Sequence, residues 1–437
     1  MNHQFTAEER KEIIALMNRE IIPAIGCTEP IAVALCVAKA TEALGKCPEH
    51  IEARLSANVL KNAMGVGIPG TGMTGLPIAM ALGAIVGKSE YELEVLKDGD
   101  AEAVKAGCQM IDEKRIGVSL KENITEKLYI EIEVTAGADK AVAIISGGHT
   151  RFIHVSRNEE VLFSLEGGAQ GEGGAAAAAT SNDPELTLRR VWDFAMTAPL
   201  DELQFILEAR KLNMNAAYES LKGNYGHSIG RLMRSESERN IMGDTLHCQI
   251  VGMTTAACDA RMAGAMIPVM SNSGSGNQGL TSTVPVVVYG EQTKASDEQM
   301  VRALILSHLT VIYIKQSLGR LSALCGCVVA ATGSSCGITY LMGGGYEEVS
   351  VAVKNMIANL TGMICDGAKP SCAMKCASGV STAVVSALMA MSGRCVQSVE
   401  GIIDDDVDRS IRNLTDIGRD AMTHTDAMIL KIMTSKS

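Results

Sequence analysis

"KLYIEIEVTAGADKAVAIISGGHTRFIHVSRN", from Lys127 to Asn158, alternates apolar and polar residues with a period of two. That is the pattern of half-exposed antiparallel strands, and it interrupts a chain that otherwise reads as helical. The texture changes upstream from about Lys88, where "YELEVLKDGDAEAVKAGCQMIDEKRIGVSL" suggests a charged strand and helix. Downstream, "EGGAQGEGGAAAAATSNDPE" (166–185) is a Gly/Ala-rich connector. Helical patterns return from about Leu186 and run to the C-terminus, apart from the polar glycine loop "SNSGSGNQGL" (271–280). The expected fold is therefore α+β. A mostly helical core with buried glycine-rich helices, residues 1–87 and 186–437, is expected to carry a small α+β insertion, residues 88–185, with antiparallel strands.

The N-terminal part of that core has its own punctuation. Ile13, Ile14, Leu16 and Met17 lie among charges in a helix of about Ala7 to Arg19, which Pro23 ends. "IGCTEP" then leads into the nearly all-apolar "IAVALCVAKATEAL". Cys27 thus stands in the turn entering a buried helix, where open backbone N–H groups and the positive dipole end favour a thiolate. "KNAMGVGIPGTGMTGLPIAMALG" (61–83) reads as a backbone-lined loop before another buried helix. No strand is legible before its G-x-G elements, so they do not argue for a dinucleotide.

With 437 residues, two or three domains are expected. The net charge of −11 gives no reason to seek nucleic acid or an anionic membrane and suits a small polar substrate. The N-terminus is charged and helical in pattern, unlike a signal peptide, and the 13 cysteines are an odd count. A cytoplasmic, thiol-reducing location is expected. Leu321 to Tyr346 and Cys376 to Gly393 carry no charge, yet they are rich in Gly, Ser, Thr and Cys without aromatic belts. Both read as buried core helices rather than membrane spans.

The cysteines are the main chemical signal. "ALCGCVVAATGSSCG" holds Cys325, Cys327 and Cys336, and "ICDGAKPSCAMKCASG" holds Cys365, Cys372 and Cys376. Compartment and odd count disfavour disulfides. The spacings match neither zinc knuckles nor ferredoxin runs. Spacing alone leaves metal binding and simple packing both open.

Taken together and in order, "IGCTEPIAVAL", "KNAMGVGIPGT", "SGSGNQGL" and the two cysteine stretches resemble the L-cysteine desulfidase family, related to the catalytic α part of iron–sulfur L-serine dehydratases. The resemblance covers nearly the whole chain. It implies a 4Fe-4S lyase that releases sulfide, pyruvate and ammonia from L-cysteine, with L-serine dehydratase as the alternative. The matching positions imply Cys325, Cys365 and Cys372 as cluster ligands and Cys27 as the catalytic cysteine. Three ligands would leave one iron open to act as a Lewis acid, and a Cys27 thiolate could then take the α proton. Cys376 is the departure from the pattern, a fourth thiol close enough to close the site.

For the substrate, Asn277 and Gln278 in the glycine loop and Lys61 and Asn62 at the mouth of the other loop are candidates. His149 and Thr150 of "GGHT" resemble a family motif that reaches the carboxylate. Both glycine loops, around Gly65 to Thr71 and Ser273 to Gly279, are expected to line the pocket. The expected partner is an amino acid, without nucleic acid or membrane, and the chain is expected to form a homodimer. A reading of another class is a non-catalytic, thiol-rich metal-binding protein.

Overall fold

The computed structural model describes residues 4–165, 183–235, 241, 243–319 and 322–435. The 166–182 part of the expected connector lies outside them. Thr6 and Glu9 cap the first helix, Ala7–Glu20, reciprocally, which fixes its start one residue after Thr6. The period-two stretch forms Tyr129–Ala136, Asp139–Ser146 and Phe152–Arg157, paired antiparallel in succession. They belong to a six-stranded sheet in the order Ile116–Leu120, His50–Leu55, Tyr129–Ala136, Asp139–Ser146, Phe152–Arg157, Glu160–Ser164. Only the first pair is parallel.

The sheet draws on more chain than the alternation suggests. His50–Leu55 is its second strand although it lies before residue 88, and its burial alternates as cleanly as that of the others. Helix Thr28–Leu44 covers the apolar face of the sheet, and Leu76–Ile85 packs on that helix. Residues on both sides of Lys88 thus share one apolar core, because a single exposed sheet face can be sealed only by an apolar helix, and the nearest lies upstream. His50–Leu55 also precedes the first glycine loop, but helix Ala57–Ala63 intervenes, so there is no strand–loop–helix cradle for phosphate.

The second core is helical. Leu246–Met262, Gly276–Gln292, Asp297–Leu318, Gly326–Leu341, Tyr346–Leu360 and Cys372–Met391 pack against one another. Gly326–Leu341, the centre of the charge-free stretch, is buried on nearly every side, and its Gly, Ala and Ser positions allow that close approach. Among the described residues, Cys372–Met391 is the one helix long and apolar enough to cross a membrane. One side of it faces the helical core, while Met374, Val385 and Leu388 are exposed.

The two ends of the site are tied by backbone. Pro23–Ala24 pairs antiparallel with Val269–Met270, and the N–H groups of Ser271 and Ser273 donate to the carbonyls of Ile22 and Glu20. The segment entering Cys27 and the one entering the polar glycine loop therefore run side by side. Gly26 has a φ of +72°, and a Cβ there would lie 2.5 Å from Pro69 Cγ. The "GIPGT" loop thus braces the Cys27 turn from behind.

His308 locks the base of the polar loop. Fully buried on Asp297–Leu318, it meets the Asn272 amide at 3.0 Å and the Thr283 hydroxyl at 2.9 Å. Burial pushes its pKa down to about 3. The folded chain therefore keeps it neutral, while the unfolded chain protonates it near its ordinary value of about 6.5. Its contribution to stability is present above about pH 6.5 and lost as pH falls, roughly 2 kcal/mol by pH 5. Thermal unfolding between pH 7.5 and 5 should show this loss, and His308→Gln should flatten the slope.

Candidate active site

Three of the relevant thiols stand at helix N-termini. Cys27 is the N-cap of Thr28–Leu44, Cys325 that of Gly326–Leu341, and Cys372 is the first residue of Cys372–Met391. The fourth, Cys365, is fastened beside Cys325 by backbone: its N–H donates to Ala323 at 2.6 Å, and the Cys325 N–H donates to Met363 at 3.0 Å. Cys27, Cys325, Cys365 and Cys372 line one cavity of about 120 Å³. Asn62, Asn277 and Gln278 share its wall. Cysteines from three separate stretches of the sequence thus meet in one small space, whose wall also includes Cys327.

Cys27 does not behave as its position at a helix start suggests. Burial pushes its thiol well above the ordinary range, and the Glu29 carboxylate, which accepts its hydrogen bond at 3.0 Å, pushes it further. A helix dipole contributes about 0.3–2 kcal/mol. Full burial shifts a pKa by as much as about 3–5 units, or roughly 4–7 kcal/mol, so desolvation wins. The expected thiolate is a thiol in this resting arrangement.

Glu29 is its counterpart. Burial works to raise its pKa, but the His149 charge, the Cys27 thiol, its own backbone N–H and Arg261 together hold it below the usual carboxylate value. Oε2 accepts from the Thr28 hydroxyl at 3.1 Å as well as from Cys27, and Oε1 accepts from the Asn62 amide at 3.1 Å. A buried carboxylate with several donors stays ionised. The site therefore holds a thiol donating to a carboxylate.

The donor set suits an iron–sulfur cluster. Burial and the neighbouring thiols push Cys325 and Cys372 upward, as close packing of three potential anions must before a metal displaces their protons. Among the described residues, no three His, Cys, Asp or Glu side chains converge as ligands of one metal ion do. Three ligands of a cubane bind three different irons and need no such convergence. All thirteen cysteines are free thiols.

Cys376 also reaches the cavity, but its sulfur is engaged deeper, with Cys258 Sγ at 3.8 Å and the Thr281 hydroxyl at 3.5 Å. Cys327 donates to the Lys375 carbonyl at 3.2 Å. Cys336 packs inside its own helix, donating to the Thr332 carbonyl.

The remaining candidates divide. Lys61 is buried outside the cavity wall, ion-paired with Asp426 and 3.4 Å from the Cys365 carbonyl, so it props the cysteine segment from behind the cavity. His149 lies off the wall too, acting through its charge on Glu29, and Thr150 is exposed in the same turn. The Gly65–Thr71 loop does not line the cavity; it packs on the end of Leu246–Met262, with Gly67 donating to Met262 at 3.0 Å. Its glycines serve backbone contact. Glu29, Arg261, Lys315 and Lys375 line the cavity without having been singled out by sequence. Glu29 had a signal, an acid two residues after Cys27 in the first helical turn, whereas Arg261 had none.

Against known families, residues 184–431 match the serine dehydratase alpha chain. A UPF0597 protein of Bacteroides fragilis is 67% identical over 431 residues, covering 99% of each chain. UPF0597 proteins of Oleidesulfovibrio alaskensis and Shewanella halifaxensis are 46% and 44% identical, the first covering 98% of this chain and 99% of its own, the second 96% and 97%.

Proposed function

The chain belongs to the serine dehydratase alpha-chain family, and from that premise we propose that it is a 4Fe-4S lyase that removes the β-substituent of a small L-amino acid. L-cysteine, giving sulfide, pyruvate and ammonia, is the first substrate of this reading. L-serine is the second, supported by the family's own name. The observation that carries the proposal is the convergence of Cys27 with Cys325, Cys365 and Cys372 on one cavity. Mere thiol storage gives Cys27 no reason to be there.

In this reading Cys325, Cys365 and Cys372 hold the cluster, which supplies an open Lewis-acid position for the substrate. The chain's own groups handle the proton. Cys27 passes its proton transiently to the Glu29 carboxylate, uphill against the resting preferences of the two groups, and, as thiolate, takes the α proton of the substrate; the β-substituent leaves with the bonding pair. The enamine so formed tautomerises and hydrolyses in water. Burial of the pair excludes competing water from that transfer. The net charge of −11 and thirteen free thiols support a reducing, cytoplasmic setting without nucleic acid or membrane, and a homodimer belongs to the same proposal.

The test is anaerobic reconstitution, followed by iron and sulfide analysis and by pyruvate assays with L-cysteine and L-serine. Iron binding without pyruvate from either would favour a non-catalytic metal-binding role. For the proton path, Glu29→Gln should keep the iron content and KM but lower kcat about 10²-fold or more. Unchanged kcat would remove Glu29 from the path.

A further inference from the structure

Arg261, near the end of Leu246–Met262, is only 4% exposed and lines the cavity. Nη1 donates to the neutral Asn277 Oδ1 at 3.0 Å, and buried Nε has no hydrogen-bond partner. Among the described residues it forms no ion pair; Glu29 feels its charge only at longer range. Gly276 makes room for the head group, since a Cβ there would lie 2.2 Å from Nε. A buried cation left without a close anion is strongly disfavoured, so this guanidinium is poised for one.

Two acceptors on the same wall are also open. Gln278 Oε1 and Asn62 Oδ1 are buried without hydrogen-bond partners. Their orientation is set by chemistry: the Gln278 amide nitrogen donates to the Asn272 carbonyl at 3.3 Å, and that of Asn62 donates to the Glu29 carboxylate. Both oxygens must therefore face elsewhere. A cluster or a simple anion could satisfy Arg261 but offers no N–H to these oxygens.

We propose that this set is a template for the zwitterion of a free α-amino acid, Arg261 taking the carboxylate and Gln278 and Asn62 the ammonium. The assignment rests on the lyase reading and narrows it: esters, peptides and simple amines fail at Arg261, and thiols lacking an amino group fail at the two amide oxygens. It moves carboxylate recognition from His149 and the glycine loop to a guanidinium on another helix.

The experiment is calorimetric binding of L-cysteine, cysteamine and 3-mercaptopropionate to anaerobically reconstituted protein, which needs no turnover. Wild type should bind L-cysteine about 10–100-fold more tightly than cysteamine, the range expected for charge-assisted hydrogen bonds. Arg261→Ala should reduce that ratio to within a few-fold by weakening L-cysteine, and should weaken 3-mercaptopropionate as well, while leaving the iron content and cysteamine binding intact. Arg261→Lys should fall between, keeping charge without the fork. Full discrimination in Arg261→Ala, or discrimination preserved while iron is lost, would overturn the assignment. Tight, Arg261-dependent binding without pyruvate formation would instead overturn only the lyase reading.

Discussion

Replacing Cys27 by alanine should leave iron and sulfide content at the wild-type level and cut pyruvate formation by about 10²–10⁴-fold, the usual contribution of a positioned acid–base group. The thiol lies on the cavity wall but makes its hydrogen bond to Glu29, so the three cluster thiols do not depend on it for their placement. Cys27→Ser should recover little, because its hydroxyl is far harder to ionise beside a buried carboxylate than a thiol is. The measurements are colorimetric iron and sulfide, the visible absorption of the cluster, and single-turnover pyruvate. Near wild-type turnover in Cys27→Ala would sink the assignment. So would loss of iron, which would make Cys27 a ligand.

The second large effect is on the cluster itself. Cys325→Ala, Cys365→Ala and Cys372→Ala should each reduce bound iron severely and abolish activity as a consequence, whereas Cys376→Ala should retain iron. Cys376 already has sulfur and hydroxyl partners in the core, and its removal trims a packed thiol at a typical cost of about 1–2 kcal/mol. Circular dichroism melts separate loss of iron from loss of fold: the three ligand variants should stay folded without iron. Retained iron in Cys365→Ala together with lost iron in Cys376→Ala would exchange the two roles.

Much of the fold was legible in local sequence, because local order leaves a local trace. The alternation of Lys127 to Asn158 became three successive strands, and the charge-free run after Leu321 became a buried helix. The strand His50–Leu55 was not read, since six residues of alternation are too few to stand out before their partners are known. Pairing with Ile116–Leu120 and Tyr129–Ala136 is what makes it a strand.

Motifs and their resemblance to a known family pointed to the thiols worth suspecting, while local pattern showed that Cys27 enters a helix and that an α+β texture breaks a helical chain. Tertiary structure alone decided what those groups are chemically. Cys27 reads as a thiolate from its place at a helix start, yet burial and Glu29 keep its proton on, and neither influence exists until the chain closes around it. Lys61 and the first glycine loop looked like substrate contacts because polar and glycine-rich residues at a loop mouth often are. Packing turned them to support Cys365 and the end of Leu246–Met262 instead. Arg261 had no motif at all, because its meaning lies in what fails to surround it: a guanidinium is an ordinary surface residue until a fold buries it without an anion beside it.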